Sequence, residues 1–104
     1  MVAAGGARGL IGVSLRAMRR RVVVHGQVQG VGFRYSLARA AATRDVAGWA
    51  RNLADGTLEA AFEGAPDAVE SLVRLSKEGP RGAEVERIEV FEEEPEGLTR
   101  FETL

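Results

Sequence analysis

A chain of 104 residues, 45% hydrophobic and 28% charged, has the size and composition of one globular domain, which excludes collagen-like and wholly disordered readings. The absence of cysteine removes disulfide scaffolds, thiol nucleophiles, Fe–S clusters and thiolate zinc sites, and the lone His25 argues against a histidine metal site or a Ser-His-Asp triad. A net charge of −1, from 14 basic and 15 acidic residues, argues against a bulk nucleic-acid binder, and no apolar run approaches the ~20 residues of a membrane span.

The charges are unevenly distributed. Arg8, Arg16, Arg19, Arg20, Arg21 and Arg34 fall in residues 1–34 without one acidic residue, whereas Glu84 to Glu102 is acid-rich. The first boundary lies near Met18. Before it the chain is rich in Gly and Ala, and its apolar patch at Leu10-Ile11 is too short, between Gly9 and Gly12, for a secretion signal. Residues 1–18 are therefore expected to be a disordered N-terminal extension, and the protein to be cytoplasmic.

After the boundary the pattern becomes regular. Arg21–Val28, with Val22, Val23, Val24 and Val28, predicts a buried strand. Gly26, Gly30 and Gly32 break it. Phe33–Arg44 places Phe33, Leu37, Ala40 and Ala41 at helical spacing. Val46–Leu53 predicts a second strand, and Asp55-Gly56 a hairpin turn into Thr57–Glu63. There Leu58, Ala60 and Phe62 alternate with Thr57, Glu59 and Glu63. Pro66 and Asp67 open a second helix whose buried stripe is Val69, Leu72, Val73 and Ser76, ended by Gly79-Pro80. Glu84–Glu92 predicts a fourth strand with a bulge between Val85 and Ile88, and Thr99–Leu104 a short last strand around Phe101. The order β-α-β-β-α-β predicts an α+β, ferredoxin-like (split β-α-β) sandwich, an antiparallel sheet with two helices on one face.

Gly26 to Arg34 carries the most chemistry. It lacks the Gly-Lys-Ser/Thr of a phosphate-binding P-loop, and Tyr35 stands where a dinucleotide fingerprint has its third small residue. Glycines here still let backbone N–H groups converge at a helix N-terminus, and Arg34 brings a planar fork to the same anion. A small phosphate or carboxylate cradle competes with a purely structural turn. Asn52, near the end of the second strand, is either a hairpin cap or an amide that positions a water or substrate.

Two segments together are recognisable. Val24-His25-Gly26-Gln27-Val28-Gln29-Gly30-Val31-Gly32-Phe33-Arg34 resembles the first signature of the acylphosphatase family. Gly48-Trp49-Ala50-Arg51-Asn52, with Gly56 and Gly64, resembles the second. The resemblance spans residues 19–104, which makes these an acylphosphatase-like domain; Leu58 departs from the family's usual Val. It implies hydrolysis of the carboxyl–phosphate bond of acyl phosphates to a carboxylate and inorganic phosphate. Arg34 takes the role of the family's phosphate-binding arginine and Asn52 that of the asparagine orienting the attacking water. The backbone of Gln29, Gly30, Val31, Gly32 and Phe33 supplies the cradle.

Chemistry alone is compatible with that assignment. A carboxylate leaving group has a conjugate-acid pKa of about 4 and departs unprotonated. Phosphoryl transfer through a loose transition state needs charge stabilisation and a water in line, so neither metal nor cofactor is expected. The expected partners are a small-molecule acyl phosphate and inorganic phosphate as product and inhibitor, with no nucleic acid, no membrane and a monomeric chain. His25 is expected to be structural or solvent-facing, Tyr35 a packing or surface residue, and Glu92-Glu93-Glu94 a solvated edge. Arg51 points away from Asn52 by strand alternation. The alternatives are a non-catalytic module binding phosphate or carbamoyl phosphate, and an RNA-binding domain, which lacks paired exposed aromatics on the central strands.

Overall fold

Seven elements follow one another in the computed structural model, which describes residues 16–104: β1 (Met18–Gln27), α1 (Phe33–Thr43), β2 (Ala47–Asn52), β3 (Leu58–Gly64), α2 (Pro66–Glu78), β4 (Glu84–Glu93) and β5 (Phe101–Thr103). Most of the extension expected to be disordered, Met1–Leu15, lies outside the described residues. The strands form one sheet in the order β4-β1-β3-β2-β5.

Inward residues of β1 to β3, Val22, Val24, Ala50, Leu58, Ala60 and Phe62, meet Phe33, Leu37 and Ala41 of α1 and Val69, Leu72 and Val73 of α2 in one buried cluster. The ferredoxin-like sandwich follows from this one-sided apolar patterning. Ser76 completes the α2 stripe by returning its hydroxyl to Leu72 O at 2.9 Å. The expected bulge is present. His25 faces Arg87 but Gly26 faces Val85, so Glu86 is the extra residue. Gly26 is obligatory there, at φ 133°, because a Cβ would lie 2.0 Å from Glu84 O.

Three features depart from the sequence expectations. First, the sheet is not wholly antiparallel: β5 pairs parallel to β2, Gly48 opposite Phe101 and Ala50 opposite Thr103, and Phe101 stacks on Phe62 at 6.1 Å. Three residues at the end of a loop carry no periodicity that would reveal direction. Second, β1 begins at Met18 and not at Arg21, and it already pairs there with Gly64. Third, the Glu92-Glu93-Glu94 run is not wholly a solvated edge, because Glu93 joins the arginines that lie across the buried polar face of β3. Arg51 and Arg21 both reach Glu59 (2.7 and 3.1 Å), Arg21 and Arg19 both reach Glu93 (2.7 and 2.8 Å), and Arg19 reaches Glu63 at 2.8 Å. Glu93 is thus an ion-pair partner, not part of a solvated edge.

Candidate active site

Beyond Val24, β1 leaves β3 and continues against β4 alone. The chain then loops over the end of the β2–β3 hairpin and enters α1. Val28 is buried and anchors this loop, while Gly30 and Gly32 adopt φ 77° and 78°, which lets the backbone reverse without strain. Gly32 is the N-cap of α1. The first turn has no acidic side chain, and no side chain caps it. Ser36 N is bonded to Gly32 O at 2.9 Å, so the N–H groups of Phe33, Arg34 and Tyr35 have no acceptor within the helix. The result is a concentration of unpaired donors at the positive end of a helix.

This helix end faces a cleft of about 250 Å³ lined by Val28, Gly30, Gly32, Phe33, Arg34, Tyr35, Asn52 and Thr103. Arg34 enters from α1, and its Nη1 donates to the main-chain oxygen of Leu104 at 2.7 Å. Asn52 enters from the last residue of β2. Its Oδ1 is buried and, among the described residues, is the buried side-chain oxygen or nitrogen that lacks a hydrogen-bond partner. An acceptor in that condition costs about 1–3 kcal/mol unless a donor reaches it.

Of the residues singled out from sequence, Gly30, Gly32, Phe33, Arg34 and Asn52 share this cleft. Gln29 and Val31 do not line it. Val31 packs against the core, and the Gln29 side chain turns to the β2–β3 hairpin, where Nε2 donates to Leu53 O at 2.8 Å and Thr57 O at 3.0 Å. Arg51 lies on the opposite face, ion-paired to Glu59 and 5.1 Å above the Trp49 ring, as strand alternation requires. His25 is on β1 with Nε2 2.9 Å from Glu89, whose carboxyl the imidazole holds below its ordinary range. Asp55 is likewise lowered, by accepting from the hydroxyl and N–H of Thr57; it ties the turn after Asn52.

Three lining residues, Val28, Tyr35 and Thr103, were not assigned to the site from sequence. Tyr35 is 66% exposed at the rim, consistent with a surface residue but placed beside the anion loop. Thr103 arrives only because β5 pairs with β2, so no local signal marked it. A larger groove of about 460 Å³ lies at the other end of the sheet, beside Asp45, Gly64 and Gly97, and holds none of the candidate residues. Among the described residues no group of three His, Asp or Glu side chains is disposed to hold a metal ion. No helix among them is long and apolar enough to cross a membrane.

Comparison with known proteins places these observations in a family context. The acylphosphatase family model matches residues 20–103. An acylphosphatase of Thermococcus kodakarensis is 48% identical over 90 residues, covering 86% of this chain and 99% of the relative. One from Gloeobacter violaceus is 52% identical over 88 residues, covering 85% and 95%. The crystal structure of acylphosphatase from Bacillus subtilis superposes with a TM-score of 0.80 at 40% identity, covering 84% of this chain and 98% of that one.

Proposed function

Since the chain belongs to the acylphosphatase family and is an enzyme that hydrolyses acyl phosphates, we propose that the cleft between the N-terminus of α1 and the end of β2 is where it does so. Arg34 and the loop Gln29–Phe33 hold the phosphoryl group, and Asn52 orients the attacking water. The observation that carries this reading is the buried, unpartnered Asn52 Oδ1, which shares a cleft with Arg34 and the free N–H groups of the helix.

In that arrangement the phosphoryl oxygens accept from loop N–H groups and from the guanidinium nitrogens not engaged by Leu104. The water donates one O–H to Asn52 Oδ1, which fixes its lone pair toward phosphorus. The new O–P bond forms as the bond to the carboxyl oxygen breaks, and that electron pair leaves on the carboxylate. The water's protons pass to solvent and phosphate. No general acid is needed, because a leaving group with a conjugate-acid pKa of about 4 departs as the anion. The same donors serve alkyl phosphate esters poorly, since an alkoxide does not leave unaided. The enzyme acts as a monomer in this reading, one chain supplying both walls of the cleft, and its location is the cytoplasm.

Steady-state hydrolysis of benzoyl phosphate tests the proposal. Inorganic phosphate is expected to compete with substrate, and EDTA to leave the rate unchanged. Loss of activity in EDTA with recovery on adding a divalent ion would overturn the metal-free mechanism, and non-competitive inhibition by phosphate would overturn the placement of the phosphoryl group.

A further inference from the structure

The Gln29 side chain joins the two walls of the cleft. Its amide nitrogen has two hydrogens, and both are used: one on Leu53 O at 2.8 Å, the other on Thr57 O at 3.0 Å. Those two carbonyls belong to the residue pair next beyond Asn52 and Leu58, the last register pair of the hairpin. They already hold the turn closed, since Leu53 N donates to Thr57 O at 2.9 Å and Gly56 N to Leu53 O at 3.1 Å. The contact also falls where the β1–β3 ladder has ended at Val24 and Leu58. The anion loop and the strand end bearing Asn52 therefore meet at a place where the sheet no longer fixes their separation.

We infer that Gln29 is a positioning residue for the hydrolytic step: its carboxamide sets the distance and angle between the phosphoryl group on the loop and the water on Asn52. This rests on the reading that Asn52 orients the nucleophile. Gln29 is exposed and does not line the cleft, so its side chain acts through the hairpin and not on the substrate. An in-line attack tolerates little error, and a displacement of about 1 Å can cost about 100-fold in rate. Binding of phosphate is less demanding, because Arg34 and the loop N–H groups move together with the anion they hold.

The test is a double-variant cycle in the full chain with benzoyl phosphate as substrate and inorganic phosphate as inhibitor. Gln29→Met keeps the length of the side chain and removes both donors. It is expected to lower kcat about 10- to 100-fold while the phosphate inhibition constant stays within about twofold. Asn52→Ala lowers kcat by itself, and the double variant is expected to be no slower than Asn52→Ala alone, because no oriented water remains to be misplaced. Unchanged kcat in Gln29→Met, a parallel loss of phosphate affinity, or multiplicative losses in the double variant would each overturn the inference. Multiplicative losses beside a slow Asn52→Ala variant would leave the role of Asn52 standing. Wild-type turnover in Asn52→Ala would remove both. Because Gln29 is a surface residue, Gln29→Met is expected to fold, and a melting curve on the same preparation confirms it.

Discussion

Arg34 Nη1 lies 2.7 Å from the main-chain oxygen of Leu104, so the first turn of α1 is tied to the residue that follows β5. One corner of the guanidinium is thereby fixed, and the side chain lines the cleft. A bidentate hold on phosphate from a restrained side chain loses less conformational freedom than one from a free arginine.

Arg34→Lys is expected to fail nearly as badly as Arg34→Ala. Lysine keeps the charge but has no planar fork to match two phosphoryl oxygens while also reaching Leu104. Both variants should lose about 100-fold or more in kcat/KM with benzoyl phosphate, with a raised phosphate inhibition constant. Near-normal efficiency in Arg34→Lys would rule out bidentate recognition.

Glu63 makes stability sensitive to acid. Burial works against its ionisation, but the N–H of Glu96, the Arg19 guanidinium and the N–H groups of Leu98 and Gly97 outweigh it and hold the carboxyl below its ordinary value of 4.5. A carboxyl whose pKa is lower in the folded chain stabilises at neutral pH and loses that contribution as pH falls through the folded value. The melting temperature should therefore be flat near neutrality and fall below about pH 4.5, and the fall should be shallower in Glu63→Gln. At neutral pH Glu63→Ala leaves Arg19 buried at 4% exposure without its deepest partner, at a cost of about 3–5 kcal/mol by chemical denaturation. A loss under 1 kcal/mol would show that Glu93 and Glu96 satisfy Arg19 without Glu63.

A chain that begins at Met18 should keep its melting temperature and its kcat. β1 starts at Met18, where it pairs with Gly64, and the proposed site lies at the other end of the sheet. A drop in either quantity would assign residues 1–17 a structural or functional part.

Local chemistry made much of this legible in the sequence. Alternation in Thr57–Glu63, the Asp55-Gly56 turn and the Pro66 helix start all report on the next few residues, and the structure has β3, the turn and α2 at those places. The glycines before Arg34 and the strand end at Asn52 were equally visible, and they share one cleft. What escaped depends on distant partners. Arg19 and Arg20 read as a basic start because Glu63 and Glu92 are more than 40 residues away. β5 showed no direction, so Thr103 was invisible as a cleft residue. The bonds of the Gln29 side chain to Leu53 O and Thr57 O were invisible as well, because nothing local tells which way a side chain beside a glycine turn faces.

The central claim, that Asn52 directs the water and does not merely close the hairpin, is tested most directly by one preparation of Asn52→Ala. With benzoyl phosphate the account predicts a kcat lowered about 100- to 1,000-fold, a phosphate inhibition constant near that of the wild type, and a melting temperature unchanged or slightly raised, since an unpartnered buried oxygen is removed. Wild-type kcat with a lowered melting temperature would contradict it and leave Asn52 as a structural cap.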